Sequence, residues 1–225
     1  MILSINVVQK PDDLDAIRAR LDALEWRDGR ETAGRTAREV KRNEQAVLKG
    51  GAGEAFHADL LKVISDHPVV TAAARPRRFS HLIVSRTSDG GHYGAHVDNA
   101  LMGRGDRRMR TDISFTLFLS DPADYEGGEL VIHSAGMTQS AKPKAGVLVL
   151  YPSTSIHEVK PVTQGSRIAC VGWIESWIQD DAQREMLFDL ENLRASLRDD
   201  MPRQSAQLLT LDKTIANLVR MWGRR

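Results

Sequence analysis

Ile168-Ala169-Cys170-Val171-Gly172-Trp173-Ile174 closes a region, from about Arg77 to Trp177, in which apolar residues come in short β-rich runs. Upstream stand Phe79-Ser80-His81-Leu82-Ile83-Val84, Ile113 to Leu119, Leu130-Val131-Ile132 and Val147-Leu148-Val149-Leu150. The breaks between them carry turn chemistry: Asp89-Gly90-Gly91, Gly103-Arg104-Gly105-Asp106, Glu126-Gly127-Gly128 and Pro143-Lys144-Ala145-Gly146. Short strands in this pattern predict an antiparallel sandwich or jelly roll rather than βαβ units.

Helical periodicity flanks this mainly β core on both sides. Pro11-Asp12-Asp13 opens a helix with acidic residues where the helix dipole favours them, and Leu14, Ile17, Leu21 and Leu24 then share one face. A second helix is expected from about Glu54 to Asp66, with Phe56, Leu60, Val63 and Ile64 facing inward and Pro68 ending it. After Asp180 the period returns: Met186, Leu187, Leu190, Leu193 and Leu197 mark one helix, and Leu211, Ile215, Leu218, Val219 and Trp222 a second beyond Pro202. The expected organisation is one domain over residues 1–178, with helices within 12–66 and a core over about 77–178, followed by a small C-terminal helical unit over 179–225. That unit packs on the core or on a second copy of the chain, which leaves a homo-oligomer open.

The chain has 225 residues, 41% hydrophobic and 27% charged, which places it among globular proteins. Its net charge of +1 argues against a nucleic-acid partner, and the basic runs Arg75 to Arg78 and Arg104 to Arg110 read as solvated faces. Cys170 is the single cysteine, so an internal disulfide and a multi-cysteine metal site are both excluded. The first residues lack a basic leader and no segment approaches the roughly 20 apolar residues of a membrane span. The expectation is a cytoplasmic protein with no membrane partner.

The chemistry centres on His92-Tyr93-Gly94-Ala95-His96-Val97-Asp98-Asn99. On a strand, residues two apart project from one face, so the imidazole of His96 and the carboxylate of Asp98 can grip one ion. His157, in Ile156-His157-Glu158-Val159, is the candidate third ligand. Two histidines and one carboxylate form the facial triad of non-haem iron(II) oxygenases, which leaves coordination positions for a 2-oxo acid and dioxygen. Arg167 follows His157 by ten residues, with Gly165 between them. In a hairpin it stands near the histidine but one co-substrate length away, and its planar fork suits the distal carboxylate of 2-oxoglutarate. Two other readings stay open on these residues: a cupin-like zinc or manganese enzyme, and a non-catalytic jelly-roll module.

His-x-Asp, a distal His and an Arg ten residues on resemble the prolyl-4-hydroxylase type of 2-oxoglutarate oxygenase. The chain is more closely similar to the bacterial PKHD-type hydroxylases. The segments that carry this are Trp26 to Gly34, Val40 to Gln45, Tyr93 to Ala100, Arg110 to Ser114, Asp124 to Leu130, Tyr151 to Val159 and Leu187-Phe188-Asp189-Leu190. The resemblance implies a double-stranded β-helix core, iron(II) held by His96, Asp98 and His157, and 2-oxoglutarate bound through Arg167. It further implies dioxygen as oxidant, ascorbate as accessory reductant, and hydroxylation of a peptide, protein or small-molecule substrate. Similar proteins tend to have Asn-Arg-Tyr where this chain has Ser85-Arg86-Thr87.

Further candidates surround these residues. Tyr93 and Thr116 are candidate partners of the co-substrate; Ser114 shares a strand face with Thr116, and Asn99 is a candidate partner of Asp98. His81 and His133 are expected to be structural strand residues, and Trp26, Trp173, Trp177 and Trp222 to serve core or helix packing. The segment Gly103 to Asp106 is a candidate lid.

Overall fold

A computed structural model of the chain describes residues 1–32, 41–134 and 136–223. Ala33, Gly34 and Val40, quoted above for the family resemblance, lie outside the described residues.

Among the described residues the larger sheet has nine strands. Its path runs β1 (Leu3–Asn6), β14 (Val147–Pro152), β10 (Ile113–Phe118), β16 (Val162–Ser176), β6 (Ile83–Ser88), β4 (Glu44–Ala46) and β2 (Trp26–Asp28), while β5 (Pro76–Phe79) and β11 (Tyr125–Gly127) pair with β16 off that path. The smaller sheet has five strands in the order β13 (Met137–Ala141), β12 (Leu130–Ser134), β15 (Ile156–Val159), β7 (His92–His96) and β3 (Lys41–Arg42). A ribbon of β8 (Leu101–Met102) and β9 (Met109–Arg110) stands apart. Every pairing among these strands is antiparallel and neither sheet closes on itself, as in a jelly roll.

Three helices, α1 (Pro11–Asp22), α2 (Gly51–Ser65) and α3 (Pro68–Ala74), cover one face of the larger sheet. Leu21, Phe56, Leu60, Ile64 and Val70 from the helices share a core with Leu82, Val84, Phe115, Leu117, Cys170 and Ile174 from the strands. The other face of that sheet contributes, with the smaller sheet, to a second core of Phe118, Leu130, Ile132, Val149 and Tyr151. Strand β10 is therefore buried at every position, which explains why its sequence reads as an unbroken apolar run relieved only by two hydroxyls. The helices α4 (Asp181–Asp200) and α5 (Ala206–Trp222) pack on each other around Ile178, Leu187 and Ile215. Asp180 and Ser205 cap them by accepting from the backbone N–H of Gln183 and Leu208. No helix among the described residues is long and apolar enough to cross a membrane.

Several expectations need correction. Val63 is exposed, because Phe56, Leu60 and Ile64 repeat every four residues and Val63 falls one position off their stripe. Met186 and Leu193 are likewise exposed on α4, where Leu187 is the residue that reaches the core. The apolar run over 79–84 is not one strand: the chain leaves β5 at Phe79 and enters β6 at Ile83, and His81 lies between them, stacked on His57 at 4.2 Å. His157 and Arg167 do not share a hairpin. Strand β15 belongs to the smaller sheet and β16 to the larger, so the chain crosses from one layer to the other at Lys160-Pro161 between them. Gly165, at φ +75°, lies within β16, where the Asp124 carbonyl would stand 2.1 Å from a Cβ; close approach of β11, not a turn, requires the glycine.

Gly172 makes a similar demand on the strand that carries Arg167. It faces Phe115 across the β10–β16 ladder, and a Cβ there would lie 2.5 Å from Phe115 Cζ. Gly172→Ala is expected to lower stability by about 1–3 kcal/mol through overpacking, read by urea unfolding, with part recovered in the double variant with Phe115→Leu.

Candidate metal centre and its cavity

The β7–β15 ladder sets His96 directly opposite His157, and Asp98 follows two residues beyond His96. One nitrogen from each imidazole and one oxygen from the carboxylate all lie within 4.8 Å of one another. His96 Nε2 stands 3.9 Å from Asp98 Oδ1, and His157 Nε2 stands 3.6 Å from Asp98 Oδ2. Each ring is oriented from behind by a backbone carbonyl: His96 Nδ1 meets Gly94 O at 2.8 Å and His157 Nδ1 meets Ser155 O at 3.1 Å. A carbonyl can only accept, so both Nδ1 atoms carry the hydrogen and both Nε2 lone pairs turn toward the shared point. Burial, with the neighbouring His157 imidazole, holds the pKa of His96 at about 4, so the ring is neutral near pH 7 as ligation requires.

Asp98 is held by hydroxyls from the facing sheet. Ser114 Oγ donates to Asp98 Oδ2 at 2.6 Å; its single hydrogen being spent there, Ser153 Oγ donates to Ser114 at 2.7 Å. Tyr93 stacks on His96 at 3.7 Å, and burial followed by the Asp98 charge pushes its pKa up to about 12. Tyr151 meets the edge of His157 at 5.1 Å.

These groups line a cavity of about 680 Å³ between the two sheets. On the larger sheet, β16 presents Arg167, Val171 and Trp173 to it, while β10 presents Ser114 opposite Trp173 and Thr116 opposite Val171. Since Ser114 touches Asp98, the cluster lies toward the Trp173 end and Arg167 further along the same strand, with Thr116 between. Arg167 is 2% exposed, its guanidinium carbon 4.9 Å from the Phe118 ring centroid. Among the described residues, neither its buried Nε and Nη2 nor the neighbouring Tyr125 hydroxyl makes a hydrogen bond. A buried guanidinium with unspent donors is costly unless an anion completes it.

Residues 82–175 match the family model of the 2OG-Fe(II) oxygenase superfamily and residues 181–223 that of the PKHD-type hydroxylase C-terminal domain. A PKHD-type hydroxylase of Hyphomonas neptunium is 51% identical over 99% of both chains. This chain belongs to the PKHD-type hydroxylase family. It is an iron(II)- and 2-oxoglutarate-dependent dioxygenase, a hydroxylase, with dioxygen as oxidant. Its fold is shared with a prolyl-4-hydroxylase of Pseudomonas putida (TM-score 0.52, 23% identity, 78% of this chain and 92% of that one). It is shared too with a prolyl hydroxylase of Trichoplax adhaerens solved with a hypoxia inducible factor oxygen degradation domain peptide fragment (TM-score 0.57, 17% identity, 83% and 86%).

The sequence-derived candidates fall as follows in this PKHD-type hydroxylase. His96, Asp98 and His157 converge, and Tyr93, Ser114, Thr116, Asn99 and Arg167 share their cavity. Asn99 is not the side chain that holds Asp98; Ser114 is. Trp173 lines the cavity and Trp177 is exposed beneath Arg77, so neither serves the core as expected. The Gly103–Asp106 segment is the tip of the β8–β9 ribbon, whose Met102 reaches the cavity wall. Ser153, Tyr151, Tyr125 and Lys41 were not singled out; Tyr151 and Ser153 stand in the Tyr151-Pro152-Ser153 segment before His157, where proximity was the available signal.

His96 has a pH signature. Its folded pKa, about 4, lies below the ordinary 6.5, so between these values the unfolded chain takes a proton that the folded one refuses. The metal-free protein is expected to keep this contribution above pH 6.5 and to lose it as the pH falls toward 4; melting temperatures of wild type and His96→Gln across that window should show a shallower acid slope in the variant.

Proposed function

We propose that His96, Asp98 and His157 hold the iron of this hydroxylase, and that Arg167 binds the distal carboxylate of 2-oxoglutarate with Thr116 and Tyr93 as hydrogen-bonding partners. The carrying observation is the pairing, in one cavity, of a two-imidazole, one-carboxylate cluster with a buried guanidinium whose Nε and Nη2 are unspent. The donor set fits iron(II): neutral imidazole nitrogen and carboxylate oxygen, all of whose orienting partners are in place. When bound, the iron supplies dioxygen activation coupled to oxidative decarboxylation of 2-oxoglutarate to succinate and carbon dioxide, with hydroxylation of the substrate.

The chain's own residues supply placement. Arg167 offers a fork matched to a carboxylate, and Phe118 below it keeps that contact dry. Tyr93 keeps its proton at neutral pH and so remains a donor. The substrate is a peptide or protein residue or a small molecule, the former supported by the peptide bound to the Trichoplax protein. Ascorbate acts from solution as the reductant that keeps the metal as iron(II). The division at residue 178 is supported by the separate helical core around Leu187 and Ile215 and by the break between the two family matches. Exposed Met186, Leu193 and Leu209 on α4 and α5 support self-association through that unit. A cytoplasmic location rests on the single buried thiol. A nucleic-acid role is disfavoured because Arg75, Arg77 and Arg110 are paired with Glu191, Glu175 and Asp112.

Purified protein given iron(II), ascorbate and 2-oxoglutarate should form succinate, and His96→Ala should form none. Arg167→Met should raise the half-saturating 2-oxoglutarate concentration about 10- to 100-fold while sparing iron binding. Fully metallated wild type that neither binds 2-oxoglutarate nor makes succinate would sink the assignment. Ser114→Ala, which frees Asp98 to swing, should weaken metal affinity roughly 10- to 100-fold by calorimetry.

A further inference from the structure

Arg167 is not the only buried cation of the cavity. Lys41, on the edge strand β3, is 8% exposed and lines the same space. Lysine is rarely buried without a partner, because its ammonium is strongly hydrated. Among the described residues no carboxylate lies within ion-pair distance of it. Asp28 attracts it from further off, and that carboxylate is bound to Arg30 through Nε at 2.9 Å and Nη2 at 2.5 Å. Burial accordingly pulls the pKa of Lys41 down to about 8. Its Nζ stands 5.3 Å from the Tyr93 ring centroid, and Tyr93 stacks in turn on His96, so the ammonium lies one aromatic ring from the metal cluster. Polar side chains surround that part of the wall: Asn43, which donates to Ser85 at 2.5 Å, and buried Thr87.

Among the described residues, the charges of the loaded cavity do not balance without a further anion. Iron(II) and Asp98 together leave one positive charge, and Arg167 and Lys41 add one each. The two carboxylates of 2-oxoglutarate answer two of the three, and the last stays unmatched in a site between two sheets. We infer that Lys41 receives a carboxylate of the prime substrate, so that the hydroxylase acts on a carboxylate-bearing molecule. The inference rests on the assignment of 2-oxoglutarate to Arg167. The carboxylate has two conceivable sources, the co-substrate and the prime substrate, and the test separates them.

The full chain, loaded with zinc(II) as a redox-inert metal and ¹³C-methylated on its lysines, gives one methyl signal for Lys41, identified by its loss in Lys41→Arg. Calorimetry first establishes that 2-oxoglutarate binds. Acetate, the smallest usable carboxylate, is then titrated into the saturated complex, with acetamide as the neutral control. Acetate should move the Lys41 signal saturably, with half-saturation on the order of millimolar, and acetamide should leave it in place. A Lys41 signal that ignores acetate overturns the inference. So does one that 2-oxoglutarate alone carries to its end point, since Lys41 then belongs to the co-substrate. If 2-oxoglutarate fails to bind, the Arg167 assignment falls first and the inference with it.

Discussion

The antiparallel register between β7 and β15 is the constraint on which the rest of the site depends. It sets His96 against His157, residues sixty-one positions apart in the chain, and Asp98, two residues on and past the end of β7, joins them at the shared point. A slip of one residue would send His157 to the outer face of the smaller sheet together with Val159. What prevents it is packing behind the ladder: β12 pairs Ile132 with His157 and Leu130 with Val159, and both apolar residues are anchored in the inter-sheet core. The larger sheet meets this arrangement with its own fixed register, which brings Ser114 to Asp98 and places Arg167 further along β16.

The fold was legible where burial and periodicity coincide. Strands β10, β12, β14 and β16 announce themselves because at least one face of each is in a core. Strands β2, β3 and β4 are two or three residues long and carry charged side chains, and β13 reads Met-Thr-Gln-Ser-Ala at an edge with little buried. Such segments are held by ladder hydrogen bonds and not by apolar content, so pattern alone does not reveal them. The exposed positions of α4 failed for a related reason: an amphipathic stripe is narrower than the set of hydrophobic residues near it.

The site divides along the same line. The candidate ligands His96, Asp98 and His157 are suggested by their spacing and by the resemblance to a known family, and Arg167 by that resemblance, since the hairpin its spacing implied does not form. The supporting hydroxyls do not, because Ser114 reaches Asp98 across two sheets and Ser153 reaches Ser114 from a turn. The same limit explains the misplaced hairpin. The step of ten positions from His157 to Arg167 suggests a reversal within one sheet, yet the chain changes layers there, and this lets the two groups face each other across a cavity. Lys41 escaped notice because an edge lysine ordinarily points to water.

The pleat of β16 has one more consequence. Side chains at 167, 171 and 173 turn toward the cavity, whereas Ile168, Cys170 and Ile174 turn into the core under the helices. The thiol of Cys170 has no exposure, and burial pushes its pKa far up. An enzyme that activates dioxygen endangers its own sulfur, and thiolates are the first to be oxidised. Here a single peptide unit of offset puts the one thiol on the dry side of the strand, protonated and walled off from the oxidant. Met102 is the sulfur left on the cavity wall, and a methionine sulfoxide, unlike an over-oxidised cysteine, is a lesion that cells can reverse.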